Sequence, residues 1–218
     1  MLISHLKKFI FVKPMKTAGT SVEIYFQPWC VTDATSKITE VTEQIVSNAG
    51  IVGYRGWDPS NSTWYNHMPP KKILKHIDRA TWDEYFKFTM VRNPWDRSVS
   101  MFYWLTGQRQ IIPPDDLDLQ QQFTWFLKSS GRFASDTVRY LVDDKFCHDA
   151  VIRYEHMDED MNMICDRLSI EWQPERLGRY KSGIRPGDGD WRLIFNDESL
   201  EFIARVCEFE IEYFNYKF

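Results

Sequence analysis

The stretch FIFVKPMKTAGTSVEIYF, residues 9–26, decides the reading of this chain. Its apolar opening, Phe9-Ile10-Phe11-Val12, is short and rich in aromatic and β-branched residues, which predicts a buried strand over Lys8–Val12 rather than a helix. Thr20-Ser21-Val22-Glu23 then reads as a helix start, with the helix running over Thr20–Phe26 and Pro28 close behind it. Between the two lies a tight turn that carries Lys16. Such a turn aims several backbone N–H groups at one point, and the helix dipole adds positive potential there, so the arrangement suits an anion. Thr17, Thr20 and Ser21 add hydroxyl donors, while Ala18 and Gly19 are small enough to let an oxygen-rich group approach the backbone. The lysine precedes the glycine, so this is not the GxxxxGK[ST] loop of nucleoside triphosphatases.

A second segment, FTMVRNPWDRSVSMFYW at 88–104, repeats the layout. Phe86–Val91 reads as a strand, Asn93-Pro94 breaks it, and Asp96–Leu105 continues as a helix. Arg92 sits at the strand's carboxyl end, where open α/β sheets bind their ligands, and a guanidinium suits bidentate phosphate recognition. Ser100 follows about two helical turns into the helix. Arg97 is assigned a structural role, paired with Asp96 or a neighbouring acid. Two phosphate-holding turns suit a nucleotide phosphorylated at both ends.

The remaining sequence supports an α/β domain. At 218 residues the chain is long enough for one domain with a full core and short for two. A helix is expected over 33–49, loop or short strand over 50–66, and a helix from Pro69-Pro70 to about Ile77. Further expectations are a helix at 118–129, a strand at Ala150–Tyr154 and an amphipathic helix at 157–168. A long glycine- and proline-rich loop over 171–192 and one closing helix over Asp197–Tyr213 complete the chain. Strands alternating with helices imply a mainly parallel sheet covered on both faces.

Composition narrows the function. The net charge of −4 argues against general nucleic-acid binding, but residues 1–110 carry a net +5 and residues 111–218 a net −9. The basic half fits an anionic ligand. The four cysteines, Cys30, Cys147, Cys165 and Cys207, show neither CxxC nor metal-ligand spacing. They predict a reducing compartment, with Cys165 and Cys207 as buried thiols. Aromatics make up 16% of the chain, which is high, and are assigned mainly to core packing. No apolar run approaches a membrane span or a signal peptide, so a cytoplasmic location is expected.

These residues resemble the 3′-phosphoadenosine 5′-phosphosulfate (PAPS) dependent sulfotransferases. KTAGTS at 16–21 is similar to that family's 5′-phosphosulfate loop, and RNPWDRSVSMFY at 92–103 to its 3′-phosphate motif. His67, a following helix and the aromatic-rich block at 86–103 come in the order of the carbohydrate-type branch. IRYEHMDEDMNMICDRLSI at 152–170 and EFEIEYFNYKF at 208–218 also match in character, whereas 28–66 and 106–148 match poorly. The chain departs from the pattern at Pro14-Met15, since the family's proline directly precedes the lysine.

The resemblance implies a single domain over 1–218 with a three-layer fold like that of P-loop NTPases, its central sheet mainly parallel and flanked by helices. It implies that Lys16, Thr17, Ala18, Gly19, Thr20 and Ser21 hold the 5′-phosphosulfate, and that Arg92 and Ser100 hold the 3′-phosphate. YKSGIRPGDGDW at 180–191 is similar to a nucleotide-covering loop, which adds Lys181, Ser182 and Arg185 as ligands. Lys16 and His67 would be catalytic, the latter as general base, with Glu23 and Glu43 as alternatives because some members use a glutamate. PAPS is the implied cosubstrate and PAP (3′,5′-ADP) the product, without a metal. The implied acceptor is a hydroxyl, on a sugar or glycan. Two other readings stay open at this point: a small-molecule kinase of related fold, and a non-catalytic nucleotide- or glycan-binding protein.

Overall fold

The structure, a computed structural model, describes residues 1–32, 39–130, 135–180, 183–186 and 189–218. In chain order the strands and α-helices of its first half are β1 (Leu2–Ser4), β2 (Phe9–Phe11), α1 (Gly19–Phe26), β3 (Ile45–Ser47), β4 (Gly50–Val52), α2 (Pro70–Ile73), α3 (Arg79–Glu84) and β5 (Phe86–Val91). The second half contributes α4 (Pro94–Gly107), α5 (Leu119–Ser129), α6 (Thr137–Tyr140), β6 (Leu141–Val142), β7 (Lys145–Phe146), β8 (Ala150–Arg153), α7 (Met157–Arg167), α8 (Asp197–Val206) and α9 (Glu208–Tyr213). The chain divides into two compact units, one of Met1–Val91 with Val138–Tyr180, the other of Arg92–Thr137 with Lys181–Phe218.

The first unit is an α/β layer structure. Its six-stranded sheet has the order β3-β4-β1-β2-β5-β8. β2, β5 and β8 are parallel, with Phe11 opposite Phe88 and Met90 opposite Ile152. β1, β3 and β4 extend the β2 edge by antiparallel pairing. Alternation along the strands sorts two cores. Leu2, Phe9, Phe11, Phe88, Met90 and Ile152 pack with Val22, Tyr25 and Phe26 of α1 and with Met161, Ile164 and Cys165 of α7. Ile3, Ile10, Val12 and Ile51 face the other way, onto Trp64, Met68, Ile73, Trp82 and Tyr85. A strand between two helical layers must be apolar on both faces, which is why Phe9–Val12 has no polar residue.

The second unit is helical. Asn93 caps α4, its side-chain oxygen accepting from the N–H groups of Trp95 and Asp96, and Pro94 occupies the first turn. Asp118 with Gln121 and Asn196 with Ser199 form reciprocal capping boxes on α5 and α8. Phe102 meets Phe123 and Phe126, and Phe123 meets Phe195, edge-to-face with centroids 4.9–5.5 Å apart. Arg97 is buried. It pairs with Asp136 at 2.7 Å and lies 3.9 Å from Glu210, so its role is structural but its partner is not Asp96.

Three expectations are corrected. Of the helix expected at 33–49, residues 33–38 lie outside the described residues and the rest forms no helix. Ile45–Ser47 instead pairs with Gly50–Val52 in a hairpin. Gly50 has φ +154°, and a Cβ there would lie 2.1 Å from the Ile3 carbonyl oxygen, so this edge admits only glycine. The helix from Pro70 ends at Ile73, and a further helix, Arg79–Glu84, begins at Asp78, whose carboxylate caps the N–H of Thr81. The closing helix is two, interrupted at Cys207, where φ −108° and ψ 24° leave the helical region. Cys165 and Cys207 are fully buried free thiols, as expected.

Candidate functional site

In the first unit the lysine turn leaves β2 at its carboxyl end and enters α1. Val12 N–H still donates to the Phe88 carbonyl at 3.0 Å, so the chain stays on the sheet until the turn begins. Lys16 and Ala18 then both take positive φ, 58° and 63°, and Ala18 is the N-cap residue of α1 without a capping side chain. Thr17 is buried, its hydroxyl directed to the Pro14 carbonyl at 3.5 Å. Thr20 and Ser21 are buried in the first turn of α1. Ser21 Oγ accepts the Tyr180 N–H at 3.5 Å. Lys16 is half-buried.

Gly19 serves a different purpose from the one expected. A Cβ there would meet Lys13 Cγ at 2.6 Å, so the space a side chain would take is filled by the Lys13 stem. That stem carries the ammonium inward, where it donates to Thr20 Oγ1 at 3.0 Å and to Glu23 Oε2 at 2.7 Å. Glu23 is completely buried, also accepts the Met1 α-ammonium and lies 3.7 Å from Arg55. Burial alone would raise its pKa, but Lys13, the α-ammonium and Arg55 outweigh that and hold the carboxyl well below the usual range. Glu23 is therefore a counter-ion inside the core. Glu43, the other carboxylate considered as base, is exposed.

His67 comes to the same turn. Its Nδ1 donates to the main-chain carbonyl of Lys13 at 3.1 Å, and its own carbonyl accepts from Arg139 Nε at 3.0 Å. The residue adopts φ 58°, uncommon for a side chain with a β-carbon. Burial pushes the imidazole pKa well below its ordinary value, and the positive charges of Lys13 and Arg139 push the same way. The ring is neutral at pH 7, with a proton on Nδ1 and a lone pair on Nε2. The other histidines do not reach this turn. His5 bonds the Tyr85 hydroxyl at 2.8 Å, His148 bonds the Arg139 carbonyl at 2.8 Å, and His76 and His156 are exposed.

In the second unit Arg92 precedes α4 and its Nε donates to Asp96 Oδ2 at 2.7 Å. The other oxygen of Asp96 accepts from Arg185 at 2.7 Å. One carboxylate thus holds two guanidinium groups, one from each of the two segments that make up this unit. Ser100 is half-buried, two turns along α4. Lys181 and Ser182 lie outside the described residues. Of the aromatic residues flanking the motifs, Trp64 is core, Trp57 is exposed, and Tyr65 and Trp104 are half-buried.

Lys13, Arg55, Asp96 and Arg139 were missed as site residues. Lys13 was visible within KPMKTAGTS, where a second lysine three residues before the first is a signal in itself. Arg139 lies in a segment without a motif, and nothing in the sequence connects it to position 67.

A model of the sulfotransferase family matches residues 58–217. The match takes in His67, Arg92, Ser100 and Arg139 and begins after the lysine turn. No curated protein and no solved structure matches the chain.

Proposed function

Because the chain belongs to the sulfotransferase family, we propose that it moves a sulfuryl group from PAPS to an acceptor hydroxyl by in-line displacement. The family match carries sulfuryl transfer as such; the lysine turn at the carboxyl end of β2 carries the finer reading. Three left-handed residues, Lys16, Ala18 and His67, are spent on shaping that turn and its neighbour, and strain of this kind collects where a ligand is held. β2 and β5 are parallel, so the lysine turn and the residues that lead to Arg92 leave the sheet at the same edge.

In this reading Lys16, Thr17, Ala18, Gly19, Thr20 and Ser21 receive the 5′-phosphosulfate through backbone N–H groups, hydroxyls and one ammonium. Arg92 and Ser100 receive the 3′-phosphate, with Lys181, Ser182 and Arg185 as further ligands. The acceptor oxygen forms its bond to sulfur as the bond from sulfur to the 5′-phosphate oxygen breaks. The electron pair leaves with PAP, where Lys16 offsets the developing charge. The acceptor proton passes to His67 Nε2, whose lone pair the Lys13 carbonyl leaves available. No metal has a part in this scheme. A sugar or glycan hydroxyl is the acceptor class that the carbohydrate-type motif order supports, and a single domain in the cytoplasm accommodates such a reaction.

Calorimetric titration with PAP, against 5′-AMP and ATP with and without magnesium, tests the nucleotide assignment. Tight PAP binding without magnesium, at least about a hundredfold tighter than AMP, is the expected result, since a lost phosphate leaves buried donors unpaired. Equal affinity for AMP and PAP refutes the 3′-phosphate assignment. PAP binding without turnover of PAPS over a wide panel of hydroxyl acceptors favours the non-catalytic reading.

A further inference from the structure

His67 is held at its ring and at its main chain, and one of the holding groups has no role in the scheme above. The ring is tied at Nδ1 to the Lys13 carbonyl, 3.1 Å away. The backbone is tied at its carbonyl to Arg139 Nε, 3.0 Å away. Arg139 is itself anchored through its main chain, whose carbonyl accepts His148 Nε2 at 2.8 Å. His148 is buried, and its Nδ1 has no hydrogen-bond partner among the described residues. His148 therefore carries its proton on Nε2, and His67 carries its proton on Nδ1.

We propose that Arg139 is a positioning residue for the transfer reaction. Its guanidinium holds the His67 main chain in the left-handed conformation that keeps Nδ1–H on the Lys13 carbonyl and Nε2 open to the acceptor hydroxyl. The proposal rests on the reading of His67 as general base. The physical case has two parts. A residue with a β-carbon at φ 58° relaxes to the right-handed or extended region unless its peptide groups are held. A charge-assisted N–H to carbonyl bond, stronger than a neutral one, holds the peptide that follows Cα. The second part concerns the tautomer. Free neutral imidazole prefers the proton on Nε2, the nitrogen that the reaction needs bare. The Lys13 carbonyl reverses that preference only while the ring stays in reach, and this is what the grip of Arg139 on the backbone secures. The ring tether ends on the carbonyl of Lys13, the residue that leads into the lysine turn, so the base is tied to the turn that takes the 5′-phosphosulfate.

Histidine-labelled protein, observed by long-range proton–nitrogen NMR, tests the tautomer without any turnover. His67, assigned by comparison with His67→Ala, is expected in the Nδ1–H form, opposite to His148, which serves as internal reference. In Arg139→Gln the His67 nitrogens are expected to shift toward the Nε2–H pattern. In the same variant kcat is expected to fall about tenfold to a hundredfold with PAP affinity unchanged. Arg139→Lys, which keeps a cation able to reach the same carbonyl, is expected to recover part of the loss and serves if the glutamine variant fails to fold. His67→Ala combined with Arg139→Gln is expected to be no slower than His67→Ala alone. An Nε2–H signal for His67 in the unaltered protein, or an unchanged His67 signal in both Arg139 variants, overturns the proposal. Full kcat in His67→Ala defeats the general-base reading instead, and the nitrogen spectra tell the two failures apart.

Discussion

At the scale of single residues, two lysines three positions apart have opposite fates. Lys13 points inward and is consumed by Glu23 and Thr20; Lys16 stands half-buried on a left-handed turn. In the proposed scheme the chemistry at the turn falls to Lys16, and Lys16→Ala is expected to reduce transfer about a hundredfold to a thousandfold, read as kcat with PAPS. A loss of less than about tenfold would remove the ammonium from the stabilisation of the leaving group. Glu23 is the residue on which the inner cluster depends. Glu23→Gln leaves Lys13 and Arg55 in the core without their carboxylate, and breaking a buried ion pair this way costs about 3–5 kcal/mol. Urea unfolding should show that loss; a variant as stable as the parent would mean that the cations are solvated elsewhere.

At the scale of elements, the joint between β2 and α1 does the positioning. The helix's first residue is a glycine because the Lys13 stem passes where any other side chain would stand. Gly19→Ala is expected to push that stem away and to destabilise the fold by about 1–3 kcal/mol through overpacking, measured as a lower denaturant midpoint. A neutral substitution would show that the stem has room to give. Much at this scale was legible in the sequence. β5 falls on Phe86–Val91 as expected, and α1, α4, α5 and α7 lie within a residue or two of their predicted ranges, because caps, prolines and apolar runs are local signals. β1 and β3 were not legible, and β4 only as part of a segment read as loop or short strand, since such short edge additions owe their existence to their neighbours in the sheet.

At the scale of the molecule, burial of neutral histidines makes stability depend on pH. Burial pushes His148 down to about 4 and pushes His67 well below 6.5. Their folded pKa values lie below the unfolded ones, so below about pH 6.5 the unfolded chain binds protons that the native state does not. Stability is complete above that pH and is lost as pH falls. His148 alone should remove about 2 kcal/mol between pH 7 and pH 5. Unfolding free energies at pH 7, 6 and 5 check this, and His148→Gln should flatten the slope. A flat profile in the unaltered protein would mean that the imidazole takes up its proton in the folded state.

Local sequence accounts for the family and for the two motifs that the proposed scheme assigns to the ends of the nucleotide. KTAGTS after an apolar strand and RNPWDRSVS after another are self-sufficient signals, because a strand, a turn and a helix start each depend on residues next to one another. The sequence also placed Arg97 in a structural role, though its acid is Asp136, 39 positions away, and not its neighbour Asp96. What lay beyond its reach were pairings at long separation: Lys13 with His67, 54 residues on, and His67 with Arg139, 72 residues on. A main-chain carbonyl leaves no residue-type signature, so contacts made to carbonyls are invisible until the chain has folded. The protonated nitrogen of His67, and with it the nitrogen that the proposed scheme uses as base, depends on just such a contact.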